Sequence, residues 1–273
     1  MKSLARFGAR LMALAVCAVA VCSFLRAQTA AAPKVAAVPA PAYEIVSIKP
    51  ASPDERGGSM QSLPDGFRWK NFPVVSLIRG AYGTIIDSQI VGLPGWADSD
   101  RYNFEAKADA DTAEVWKKLT YKERWKLEQP MLQSLLADRC QLKVHRETRD
   151  LPVYDLVVAK GGLKMKEAAA DEPDGEMMSG SEMTAHALST DSIVYGFSGM
   201  VGRMIVDKTG LAGKKFDFEL KWTPDDRRVA DNAADAGPSF FTALEEQLGL
   251  KLVPSKGPVE VIVIDHIEKP SAN

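Results

Sequence analysis

The sequence predicts an α+β fold made of two similar lobes, each a small mixed sheet with two helices. Two observations predict it. The element order read from Phe67 to Ala159 (strand, helix, strand, strand, helix, strand, strand) recurs from Met183 to Ile267. Anchor residues recur at matching places within that order. Gln89-Ile90-Val91 corresponds to Met204-Ile205-Val206, and Tyr102-Asn103-Phe104-Glu105 to Phe216-Asp217-Phe218-Glu219. Leu136, Cys140, Leu142 and Val144 have the spacing of Leu244, Leu248, Leu250 and Leu252, and Pro152-Val153 matches Pro258-Val259.

The organisation reads as residues 1–27 signal peptide, 28–42 tether, 43–160 first lobe, 161–182 inter-lobe loop and 183–273 second lobe. Lys2, Arg6 and Arg10 precede an apolar run from Leu11 to Leu25, and Ala27 offers a small residue for cleavage, the order of a secretory signal. A later cut near Ala32 is the alternative. Fifteen apolar residues ending at Arg26 fall short of the roughly 20 a membrane span needs. Cys17 and Cys22 both follow Val, where lipid attachment calls for a small residue. Gln28 to Ala42 is rich in Ala and Pro with Lys34 as its one charge, which suits an extended tether.

In the first lobe, Tyr43 to Ile48 alternates and stops at Lys49-Pro50, which predicts a strand. Ser52 to Ser59 reads as a loop, and Pro64-Asp65-Gly66 as a turn before the strand at Phe67 to Lys70. Val74, Leu77, Ile78 and Ala81 have helical spacing up to Gly83. Strands follow at Gln89–Leu93 and Arg101–Ala108. Thr120 and Glu123 form a capping-box pattern that opens a helix. Pro130 should kink that helix or start a second one. Leu142–Arg146 and Val153–Val158 read as two strands paired with each other.

In the second lobe, Met183–Leu188 reads as strand, Ser192–Val201 as helix, and Met204–Val206 and Lys215–Trp222 as strands. Thr223 to Pro238 is a polar insertion, after which Ser239 caps a helix to Leu248. Leu250–Val253 and Val259–Ile264 complete the set. The last of these is apolar on both faces and should lie inside its sheet.

Composition narrows the function classes. The formal net charge is −2, and removal of Lys2, Arg6, Arg10 and Arg26 with the signal makes the rest more acidic. No nucleic-acid binder is indicated, since that needs a strongly basic face. Only Cys140 outlasts processing, so neither an internal disulfide nor a cysteine metal cluster is available. With 46% hydrophobic residues the chain can hold itself together by core burial. No cofactor is indicated, and no membrane span after signal removal.

Several phrases together resemble a known family: Tyr43-Glu44-Ile45-Val46-Ser47-Ile48-Lys49-Pro50, Trp96 to Tyr102, Leu135-Leu136-Ala137-Asp138-Arg139, and His145 to Tyr154. The second half adds Val206 to Leu211, Trp222-Thr223-Pro224-Asp225 and the tail from Val263 to Pro270. The chain resembles the soil-associated family of exported bacterial proteins of unknown function. One departure is Cys140, where the resemblance implies Phe. The resemblance implies a domain that occurs alone behind signal peptides or on sensor peptidases related to the beta-lactam receptor. It supplies no catalytic residue. The repeat unit is also similar to the short N-terminal domains of secretins and TonB-dependent receptors, a likeness of fold only.

The residues themselves offer few chemical signatures. Asp207-Lys208-Thr209-Gly210 resembles the phosphorylated motif of cation pumps, but Leu211 stands where that motif needs Thr, and the segment reads as a turn. His145, His186 and His266 show no metal-ligand spacing, and no nucleophile elbow is present. Asp98 and Asp100 are too few for a calcium loop. Trp116, Tyr121 and Trp125 interleave with Lys122 and Arg124, the pattern of a partner-binding surface; an amphipathic helix with packed Trp residues would give it equally. The expectation is an exported binding or interaction module, in envelope sensing or assembly, periplasmic or secreted, with an envelope or extracellular protein or polymer as partner. A secreted hydrolase whose site the sequence does not display is the alternative.

Overall fold

In the computed structural model, described for residues 41–224 and 237–271, three four-stranded sheets and six helices alternate along the chain. The segment read as a signal peptide, most of that read as a tether and most of the polar insertion after Thr223 lie outside the described residues. No helix among those described is long and apolar enough to cross a membrane.

The first outer sheet joins β1 (Ile45–Pro50), β2 (Ser59–Leu63), β3 (Gly66–Phe72) and β5 (Tyr102–Lys107) in the order β1-β5-β3-β2. All its pairings are antiparallel. Tyr102, Phe104 and Ala106 alternate inward along β5, as a half-buried strand requires. Gly66 is obligatory at the β3–β5 crossing, since a Cβ there would sit 1.9 Å from the Ala106 carbonyl oxygen. The second outer sheet joins β7 (Lys166–Ala168), β8 (Gly175–Ser179), β9 (Glu182–Ser189) and β11 (Lys215–Lys221) in the order β7-β11-β9-β8, again antiparallel.

The third sheet draws strands from both halves. β6 (Lys143–Val158) and β12 (Leu250–His266) pair antiparallel along nearly their whole lengths. Short β10 (Ile205–Asp207) lies parallel to β6, and short β4 (Ile90–Val91) parallel to β12. The order is β10-β6-β12-β4, so β12 is interior, as its two apolar faces indicated.

This corrects the expectation of two lobes each with its own mixed sheet: parallel pairs occur only in the shared third sheet. It also corrects the two paired strands read at Leu142–Arg146 and Val153–Val158. They are the two ends of one strand, and its partner is β12. Pro152 and Pro258 both lie inside this pairing. Because β4 and β10 cover only two or three residues each, these prolines fall where one strand edge is open.

Helix α1 (Val74–Tyr82) and α4 (Tyr121–Cys140) build the first core, in which Phe104, Leu77, Ile78, Leu132 and Leu136 are almost fully buried. The Thr120–Glu123 capping box forms as expected. Pro130 does not divide α4, which runs through it for 20 residues. Two short helices, α2 (Gly95–Ser99) and α3 (Ala110–Trp116), stand where the sequence suggested connections. The second core gathers Phe216, Leu220 and Leu244 under α5 (Thr190–Val201) and α6 (Phe240–Ala243), which runs on as a π turn over Leu244–Leu248. Ser239 caps α6 as expected, accepting from the Thr242 N–H at 3.2 Å.

The segment read as an inter-lobe loop, 161–182, contains β7 and β8. Their side chains are exposed or nearly so, Met177 and Met178 included, so they pair through backbone and surface ion pairs, not core packing, and leave no periodic signal. Asp207 to Gly210 is the expected turn: the Asp207 carboxylate accepts from the Thr209 N–H at 2.8 Å.

Candidate functional site

The sequence put Trp116, Tyr121, Lys122, Arg124 and Trp125 on one surface. The fold sorts them. Trp116 is buried, with the Arg124 guanidinium 4.4 Å above its ring. Arg124 donates to the Glu128 carboxylate from Nε at 3.0 Å and Nη2 at 2.9 Å, and Nη2 also reaches the Gly66 carbonyl at 2.8 Å. These two residues tie α4 to β3. Lys122 points to solvent. Tyr121 is 75% exposed, and its ring lies nearly parallel to that of half-buried Trp125, 6.3 Å between centroids.

Tyr121 and Trp125 form one wall of a groove of about 550 Å³. Its floor comes from Phe67 and Trp69 of β3, and its rim from Met60 of β2 and Tyr195 of α5, both more than half exposed. Gly80 of α1 makes room for the wall, because a methyl group there would come within 3.2 Å of the Trp125 ring. Sequence reasoning missed Met60, Trp69 and Tyr195. They are far from α4 in the chain, and no local pattern links them.

The polar groups around the groove are unusual. Burial pushes the Glu128 carboxyl above its ordinary range, against the pull of Arg124. Burial likewise raises the Tyr195 phenol, with Tyr121 adding to the effect. Arg79 is ion-paired with Asp87, but its Nε is buried without a hydrogen-bond partner, and so is the Thr84 hydroxyl. The Tyr43 hydroxyl is the third such group among the described residues. Its ring packs edge-on against Phe67, and burial drives its phenol far above the usual range.

A second cluster lies on the other outer sheet. His186 Nδ1 is 3.0 Å from Asp217, and Nε2 is 3.7 Å from Glu172. A histidine and two carboxylates can ligate a divalent cation. Here the two ring nitrogens face different carboxylates, and Lys166 shares Asp217 at 3.2 Å, so the set behaves as an exposed ion-pair network. His145 lies between Asp265 at 2.9 Å and Glu147 at 3.0 Å, and His266 meets Glu268 at 2.9 Å. None of the three histidines stands beside a serine or cysteine nucleophile in these contacts.

Residues 75–267 match the family model described as "Protein of unknown function (DUF3738)". The chain belongs to this family. The match spans α1 through the end of β12, and so includes most of the groove's walls. No curated protein and no solved structure matches the chain.

Proposed function

We propose that this DUF3738 member is an exported, non-enzymatic binding module whose partner site is the aromatic groove lined by β2, β3, α1, α4 and α5. One observation carries the reading: Tyr121, Trp125, Met60 and Tyr195, drawn from three separate chain segments, converge on one open apolar groove. Exposed apolar surface gathered in one place marks an interaction site far more often than the same residues scattered singly. Aromatic side chains suit such a site, because they offer large contact area at little cost in conformational entropy.

The basic n-region, apolar run and small residues at the N-terminus support export to the periplasm or medium. An envelope or extracellular protein or polymer is then the partner within reach. Soil association and a place beside sensor peptidases, both implied by the family resemblance, belong to the same proposal. So does descent of the two halves from one duplicated unit, supported by the corresponding strand orders of the outer sheets.

The test is capture from envelope extract with a photo-crosslinker placed at Met60, which borders the groove and is more than half exposed. A specific crosslinked partner that is lost in a Tyr121→Ala/Tyr195→Ala variant of unchanged stability is expected. Undiminished capture by that variant sinks the groove as the binding site. N-terminal sequencing of the exported protein should begin between Gln28 and Pro33; retention of Met1 in the membrane would overturn export.

A further inference from the structure

We infer that the groove accepts a proline-rich peptide segment in the extended polyproline II conformation. This rests on the groove being the binding site proposed above, and it names the ligand class.

Ring spacing is the first argument. Tyr121 and Trp125 stand one helical turn apart on α4 with an interplanar angle of 16° and centroids 6.3 Å apart. They form two parallel ridges. A polyproline II chain rises about 3.1 Å per residue with three residues per turn, so two residues advance it by about one ridge spacing. Two neighbouring edges of that three-sided helix can then rest on the two ridges. Tyr195 and Met60 border the same groove and can hold the sides of the chain.

Hydrogen-bond polarity is the second. A sugar polymer could also stack on such rings, but its many hydroxyl donors need acceptors. The one carboxylate lining the groove, Glu128, is buried and has its Oε1 held by Arg124, which leaves little acceptor surface. What remains is the Trp125 indole N–H, which makes no hydrogen bond among the described residues, the Trp69 indole N–H, the hydroxyls of Tyr121, Tyr195, Ser62 and Ser76, and the guanidinium of Arg79. These are donors or can act as donors. The buried Thr84 hydroxyl at the groove wall is also without a partner. A proline-rich backbone presents carbonyl acceptors and lacks the N–H at each proline, so its requirements match this set. Preformed extended structure adds a third advantage, since little chain entropy is lost on docking.

The test is a titration of the full-length protein with decaproline, read by intrinsic Trp emission. An N-acetylglucosamine hexamer is titrated in parallel. Saturable decaproline binding is expected, weakened about tenfold or more by Tyr121→Ala/Tyr195→Ala, as loss of two aromatic anchors should give. Trp125→Phe keeps a ring and removes the indole N–H, and should weaken binding by less. Both tyrosines are exposed, so circular dichroism and thermal melting should be unchanged in the double variant. Failure of decaproline to saturate, or equal binding by wild type and double variant, overturns the inference. If the hexasaccharide binds instead and shows the same tyrosine sensitivity, the groove remains the site and its ligand is a polysaccharide. If the double variant also captures its envelope partner undiminished, the proposed binding site itself fails.

Discussion

Asn103 and Asp217 perform the same structural task in the two outer sheets. Each side chain accepts a hydrogen bond from the backbone N–H of a bulge residue on the neighbouring strand: Asn71 at 2.8 Å in the first sheet, Ala187 at 2.9 Å in the second. Both bulge residues have positive φ, 58° and 45°, and each lies three residues before a helix, α1 or α5. The pairing registers shift at these same places. The bulge turns the chain out of the sheet and into the helix, and the side-chain acceptor satisfies the N–H that leaves the ladder.

Removing the acceptor should therefore unsettle the strand-to-helix turn. Asn103→Ala should cost about 1–3 kcal/mol, the usual penalty for leaving a donor without its partner. Asp217→Ala should shift stability in the same direction. Ala187→Gly should stabilise by about 0.5–1 kcal/mol, because alanine is strained at positive φ and glycine is not. Chemical denaturation of the three variants checks this.

Leu136 and Leu244 are each fully buried, and each carbonyl accepts from an N–H five residues on, that of Gln141 and that of Gly249, where the helix ends in a left-handed residue. Leu→Ala at either should cost about 2–5 kcal/mol. Thermal melts in which only one variant shifts would separate their roles.

Arg124→Met should be among the more damaging changes at the groove. It leaves the buried Glu128 carboxylate without its partner, which costs about 3–5 kcal/mol when such a pair is broken. Adding Glu128→Gln to Arg124→Met should recover much of the loss. Urea unfolding of the single and double variants measures it.

His145 is held between Asp265, the stronger influence, and Glu147, and both raise its pKa above the ordinary histidine value. The stabilisation from its charged form is complete below the unfolded-state value and is lost as the pH rises through the raised folded value. NMR titration of the His145 ring should show that raised value, and Asp265→Asn should lower it. Melting temperatures of wild type and Asp265→Asn should converge at pH values above the folded pKa.

Cys140 is buried, and burial pushes its thiol up to about 12. A disulfide reagent at pH 8 should leave it unmodified in the folded protein and label it stoichiometrically in denaturant, since the thiolate is the reacting form.

Wherever a pattern is local, the sequence by itself determined the element. Val74, Leu77, Ile78 and Ala81 define α1 because helical spacing places them on one face. Thr120 and Glu123 fix the start of α4 because both capping bonds span three residues. The alternation of Tyr102, Phe104 and Ala106 fixes β5, and the matching anchors Phe216 to Glu219 mark β11 in the second half. The same locality let Tyr121 and Trp125 be picked out, four residues apart on α4. Only the tertiary structure decided that Leu142–Arg146 and Val153–Val158 are one strand, because its continuity depends on a partner, β12, whose paired residues lie 92 to 123 positions further along the chain. Only it gave strands β7 and β8, which pair by backbone and surface ion pairs and bury no periodic apolar face. The groove is likewise a product of long-range packing. Met60, Trp69 and Tyr195 meet α4 through sheet pairing and helix docking, whose energies depend on which surfaces come together in space and leave no period in the chain.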